Sequence, residues 1–308
     1  QSFVPGKARR LDPAVTNYFT PTFDALELWI GDDRSQIFSN FYGRNLGDWF
    51  NLMNQGIVRT AVADSDTHKR IVNQSGVPRT FVASPTDSPA ALGAIADTLS
   101  GNVNAGRVIG SDAPFVRITV DASSTSEEAG LELGLPTLVH TTDGAVDVQL
   151  EIQSPVWAEF DRVEFYVNSA TTKHTVNKQS GAGVVPVASY TVVPDFVKTA
   201  GTDFTVSTVT VNGTIPGAQR LEATVNLSLT GLTQDAWLVA VVRGTDGVSR
   251  PLFPMVPNSL RTSTNATLAN LIDGNLGEDG IPAMAFTNPI LIDVDGDPWT
   301  APGVHFTP

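Results

Sequence analysis

Residues 61–68 read Ala-Val-Ala-Asp-Ser-Asp-Thr-His, a run of small apolar residues that ends by offering Asp66 and His68 two positions apart. Alternate residues of an extended chain face the same side, so a carboxylate and an imidazole at this spacing can bind one divalent ion. Asp64 lies in the same phase. It is a third ligand, a carboxylate that orients the imidazole, or simply a cap on the turn. Taken alone, Asp-x-His also fits a solvated surface turn. A second acidic group, Asp293, Asp295 and Asp297 in Asp-Val-Asp-Gly-Asp, offers the clustered oxygens that calcium favours. Its register is not that of an EF-hand, because setting Gly296 at loop position six puts Leu291 at position one. A solvated turn is the competing reading.

The surroundings of Asp66 carry a resemblance. Phe23-Asp24-Ala25-Leu26-Glu27-Leu28-Trp29 precedes Leu46-Gly47-Asp48-Trp49-Phe50-Asn51-Leu52-Met53-Asn54-Gln55-Gly56, and Gly76-Val77-Pro78-Arg79-Thr80-Phe81-Val82 follows His68. This order resembles the closing part of the catalytic domain of PHP-type metallohydrolases, the CehA/McbA-like branch. There the strand ends in Gly-Asn-Ser-Asp-Ser-His and a Pro-Arg-Thr segment comes after it. The similarity covers residues 23–82 and continues more loosely through Gly110-Ser111-Asp112-Ala113-Pro114, Asp161-Arg162-Val163-Glu164-Phe165 and Asn288-Pro289-Ile290. It implies a distorted β/α barrel holding two or three zinc, manganese or iron ions, with Asp66 and His68 among the ligands. The family's remaining ligands lie upstream, and no histidine precedes His68 here; the others are His140, His174 and His305. The resemblance therefore implies the C-terminal portion of a longer or proteolytically processed protein, completed by an N-terminal polypeptide or retired as a catalyst. Ala63, Asp64 and Thr67 stand where the family motif has Gly, Asn and Ser, and Ile30 where an Asn commonly follows the aromatic.

Composition narrows the field. Lys and Arg total 19 against 32 Asp and Glu, a net charge of −13, which argues against nucleic acid or an anionic membrane as the main partner. With no cysteine there is no disulfide, thiolate ligand or Cys nucleophile. Charged residues are only 17% while Thr, Ser, Asn and Val abound, a texture that points to an extracellular or periplasmic protein. No apolar run approaches the ~20 residues of a membrane-spanning helix. Gly-x-Ser-x-Gly, P-loop and Rossmann glycine patterns are missing, so a serine hydrolase, nucleotide-phosphate or dinucleotide reading has no support.

The elements that must position these groups read as follows. Residues 23–30 alternate as a strand does. Leu46, Trp49, Phe50 and Met53 have helical spacing, closed by Gly56, and Ser88-Pro89 opens a second helix running to Gly101. From Arg107 onward, strand-length runs at 116–120, 146–152, 162–167, 188–193, 205–211, 221–229 and 237–243 are separated by turns. The expected fold is thus a partial α/β unit, a distorted barrel segment of PHP type over 23–105, followed by an all-β antiparallel sandwich over 106–258. A basic N-terminal arm occupies 1–22, and 259–308 is a C-terminal segment packing back on the barrel.

Two functions compete. In one, the chain belongs to a secreted metal-dependent hydrolase of esters, amides or phosphoesters and supplies two metal ligands to a barrel completed by another polypeptide. Arg79, and less directly Arg34, would then hold an anionic part of the substrate; a structural salt bridge is the alternative for Arg79. Glu27 either lines the barrel mouth or faces outward. In the other, the chain is a non-catalytic assembly subunit, a homo-oligomer or filament on a degenerate hydrolase scaffold, with strand edges and the arm around Lys7 to Arg10 adding to neighbours. No nucleic acid and no membrane insertion enter either reading.

Overall fold

The computed structural model describes residues 22–31, 36–67, 76–180, 183–211, 213, 215–245 and 282–303, with 172–180 and 183–190 by backbone alone. The arm, Arg34, His68 and His305 lie outside the described residues, as does the side chain of His174.

Burial patterning shows why the chain layers as it does. In β5 (Phe115–Ala122), β8 (Val146–Pro155) and β14 (Gln219–Leu229), buried and exposed residues alternate along most of each strand. A strand with one face on a core and one in water reads this way. These three form the centre of a five-stranded antiparallel sheet in the order β13 (Ser207–Thr210), β14, β8, β5, β6 (Glu127–Gly130). By contrast, β15 (Ala236–Arg243) is buried at every residue from Ala236 to Val242. It needs apolar cover on both faces, and it has it. Ala236, Leu238, Ala240 and Val242 join Val148, Leu150, Val225 and Leu227 in the core beneath the five-stranded sheet. Trp237, Val239 and Val241 join a second core with Leu28, Trp29, Phe41, Trp49 and Phe50.

The strand β15 sits inside an eight-stranded sheet. Its main path runs β12 (Phe196–Thr199), β9 (Arg162–Val167), β15, β16 (Met284–Thr287), β4 (Val108–Ser111), β3 (Arg79–Val82). Beside β15, β17 (Ile290–Asp293) also pairs with β7 (Leu138–His140). The third layer consists of β1 (Ala25–Ile30), a π-helix (Gln36–Asn45), α1 (Leu46–Met53) and β2 (Thr60–Asp64). It lies on the outer face of the eight-stranded sheet through Phe50 against Trp237, with ring centroids 4.6 Å apart, and Phe41 against Phe286 at 5.7 Å. A hairpin of β10 (Thr171–Ser180) and β11 (Gly183–Val192) packs beside α1. Two further helical segments, α2 (Pro89–Leu92) and α3 (Ala96–Asn104), bridge β3 and β4.

Among the described residues the barrel segment expected over 23–105 is not found. The described chain is mostly β in several sheets, and its one parallel helix-connected pair is β1 with β2. The next strand, β3, pairs antiparallel with β4, which pairs antiparallel with β16. Alternation in a short strand cannot say whether its inner face meets barrel neighbours or a flat sheet; Leu28 and Trp29 meet a flat sheet and are fully buried within this chain. Strands on both sides of residue 105 share the eight-stranded sheet, and β16 and β17 from the C-terminal segment lie inside it. Each of the seven runs read as strands after Arg107 overlaps an observed one. The α1 terminus is also as read. Gly56, at φ 84°, and Ile57 return their amides to Met53 and Leu52, the Schellman arrangement that stops a helix at a glycine.

Candidate functional site

The C-terminal ends of the paired strands β1 and β2 form a shared mouth, and on its other edge β2 is fixed by side chains in place of a second strand ladder. The wholly buried Asn288 accepts from the amide of Ala61 at 2.7 Å and donates to the carbonyls of Ala61 and Val108, both at 2.9 Å. The Thr80 hydroxyl accepts from the Ala63 amide and donates to its carbonyl, each at 2.8 Å. Gly110 makes this close approach possible: a Cβ there would lie 2.9 Å from that of Ala63 and 2.2 Å from the Phe286 ring. So the residues leaving β2 have a fixed point of departure.

Three carboxylates lie near the mouth, although their oxygens do not all come within the 4.8 Å of one another that marks a metal-holding set. Glu27 is exposed on β1, yet its carboxyl hydrogen-bonds that of Asp64. This bond, then partial burial, then the negative charges of Asp64 and Asp66, raise the Glu27 pKa from 4.5 to about 7. Two carboxylates this close hold a proton between them unless a cation replaces it. Asp66 takes a left-handed backbone, φ 44°, and its amide donates to Asp64 Oδ1 at 2.7 Å. Asp64 therefore caps the turn with one oxygen while its carboxyl also meets Glu27. Gly76 donates to the Ser65 hydroxyl at 3.1 Å, bringing the chain back beside the turn. His68 is not described, so the structure assigns no place to the Asp66–His68 pair. Arg79 donates from Nη2 to the Asp112 carbonyl at 3.2 Å and lies 5.7 Å over the Phe81 ring.

The Asp112 carboxyl beside it is wholly buried, and that burial pushes its pKa well above the ordinary value. Its Oδ1 accepts from the Met284 amide at 2.8 Å, while Oδ2 has no partner among the described residues.

The second acidic group differs from its reading in the sequence. Asp235, Asp293 and Asp295 place one oxygen each within 4.8 Å of one another, a set that can hold a metal ion. Asp235 and Asp293 are buried and Asp295 is exposed. Asp297 is not in the set; its amide donates to Asp295 Oδ1 at 3.1 Å. Asp235, at the entry to β15, accepts from the amides of Val294 at 2.9 Å and Thr300 at 2.6 Å. Sequence reading passed over Asp235 because it lies nearly sixty residues away; its one signal is a lone acid abutting an unbroken apolar strand. His140 is set opposite Asp293 in the β7–β17 register and gives its amide to Glu127 at 3.1 Å.

No protein-family model matches the chain, and no curated protein matches it. Among the described residues no helix is long and apolar enough to cross a membrane.

Proposed function

We propose that this chain contributes to a metal-dependent hydrolase of esters, amides or phosphoesters, with Glu27, Asp64, Asp66 and His68 as its share of a divalent-metal site. The observation that carries this reading is the Glu27–Asp64 carboxyl pair at the ends of two parallel strands. A pair that retains a proton to about pH 7 releases it to a divalent cation. Mixed carboxylate and imidazole donors suit zinc, manganese or iron. Such an ion lowers the pKa of bound water and polarises a carbonyl or phosphoryl oxygen. Within the chain, Asp64 orients the turn through the Asp66 amide and Glu27 takes up or releases the proton. Catalysis needs at least three protein ligands and an open position, and a second polypeptide supplies what this chain does not. The Asp235, Asp293 and Asp295 set, all hard oxygen, is a structural site for calcium. The protein works outside the cytoplasm, where calcium is abundant.

The test uses the assembly purified from its source through a tag on this chain. Its metal content and its hydrolysis of p-nitrophenyl acetate and bis-p-nitrophenyl phosphate are compared with those of Asp64→Asn and Asp66→Ala. Both should fall together. Metal content and hydrolysis unchanged in both variants would refute the reading.

One observation favours an assembly role instead. The edge strand β12 exposes Phe196 and Val197, and Val193 just before it is 76% exposed. Apolar edges of this kind recruit strands from neighbours. Filaments or sheets of native material with no bound transition metal would favour that role.

A further inference from the structure

A cavity of about 320 Å³ opens between the edges of the two large sheets. One wall is β3 and β4 of the eight-stranded sheet, with β3 at its edge; the other is β5 and the residues that follow β6. Its lining is chiefly apolar: Phe81, Ile109, Phe115, Val116, Leu131 and Leu133. Phe81 and Phe115 meet edge to face, centroids 5.6 Å apart at 85°. Phe115 and Leu133 are 39% and 42% exposed at the rim, so this apolar surface is open to a ligand.

Two arginines line the same cavity, and they differ. Arg117 is neutralised, bonded to Glu132 through Nε and Nη2 and to Glu151 through Nη1 at 3.3 Å. Arg107 is not. Its Nη2 donates to the Leu135 carbonyl at 3.1 Å, its Nε has no partner, and no carboxylate pairs with it among the described residues. A guanidinium has five N–H donors in a planar fork suited to a carboxylate. Held partly buried beside apolar side chains, its charge is weakly screened and attracts an anion more strongly than a surface arginine does. The acidity of the chain as a whole does not cancel this, because Glu132, the carboxylate in the lining, is already matched by Arg117.

We propose that this cleft binds a small amphiphile bearing one carboxylate, of the aryl-alkanoate class, with its apolar part against Phe81 and Phe115 and its carboxylate on Arg107. The volume lies at the small end of ligand pockets, ~300–1,000 Å³, and holds one ring and a short chain. This site is independent of the carboxylate mouth at β1 and β2.

The probe is 3-phenylpropionate, titrated into the full chain by calorimetry and by NMR, with neutral 3-phenylpropanol as its partner compound. A ligand of this size should bind with a dissociation constant of ~1 mM or tighter, and the alcohol at least ~10-fold more weakly. Arg107→Gln should weaken the carboxylate ~10-fold or more and leave the alcohol unchanged, with Arg107→Lys partly restoring it. Leu133→Glu keeps the Arg107–Leu135 bond and places a like charge at the rim, so it should also weaken the carboxylate selectively. No binding to the folded wild-type chain would overturn the proposal. So would equal binding of acid and alcohol, or carboxylate binding unchanged in folded Arg107→Gln and Leu133→Glu.

Discussion

Asp64→Asn isolates the carboxyl pair. An asparagine keeps an Oδ1 acceptor for the Asp66 amide, so the turn survives, while the charge facing Glu27 is lost. Asp64 supplies the first and third causes of the raised Glu27 pKa, the hydrogen bond and the charge. Carboxylate-resolved ¹³C NMR should therefore find Glu27 titrating at about 7 in the wild type and much nearer 4.5 in the variant. The sign for stability follows. Between these values the folded chain holds a proton that the unfolded chain has given up, so stability falls as pH rises from 4.5 to about 7. Glu27 is largely solvated, so after screening the loss is about 1 kcal/mol or less. Urea denaturation should show Asp64→Asn equal to the wild type near pH 4 and more stable near pH 8 by up to ~1 kcal/mol. Added manganese or zinc should stabilise the wild type above pH 7 and the variant much less. A Glu27 midpoint that stays at about 7 in Asp64→Asn, or a variant less stable than the wild type near pH 8, would refute the shared-proton argument.

Glu164 is buried and receives Arg162 Nε at 2.6 Å, Arg243 Nε at 3.1 Å, Tyr42 Oη at 3.1 Å and Tyr166 Oη at 3.0 Å; Glu164→Leu strands both cations and should cost about 3–5 kcal/mol in chemical denaturation. Gly110→Ala forces its methyl into the Phe286 ring, 2.2 Å away, and should cost about 1–3 kcal/mol, read as a lowered melting temperature. Calcium at ~100 times its dissociation constant should raise stability by ~2.7 kcal/mol, and Asp235→Asn should abolish most of that gain in a thermal-shift assay.

Local pattern told the truth where a single contact shell decides. The alternation of Val146, Val148, Leu150 and Ile152 exposes a one-faced strand without reference to any partner, and Gly56 stops α1 for reasons confined to one helical turn. Trp29, Trp49 and Phe50 could be read as core but not as core against what. Their partners Trp237, Tyr166 and Phe286 come from strands more than a hundred residues away, and nothing local distinguishes a barrel interior from the back of a flat sheet. The unbroken apolar run of β15 held the missing clue: a strand buried on both faces demands a layer above and a layer below, and among the described residues the 23–64 segment supplies one of them.

The same distinction governs the acidic groups. Asp64 and Asp66 are legible because the turn that joins them is local. Glu27 enters through strand pairing, and Asp235 reaches Asp293 and Asp295 only because β15 and β17 are neighbours whose ends coincide. Spacing in the sequence therefore nominated Asp297, which follows the turn outward, over Asp235, which the sheet delivers. Register is what turns isolated carboxylates into groups able to share a proton or a cation. The packing that sets register is distributed over Asn288, Thr80 and Gly110 for β2, and over Trp237, with its indole N–H on Asn54 Oδ1 at 2.8 Å, for β15. Neutral substitutions at Asn288, Thr80 and Asn54 should therefore disturb proton sharing at the mouth and cation binding at the triad, because the hydrogen bonds these side chains make set the register on which both depend.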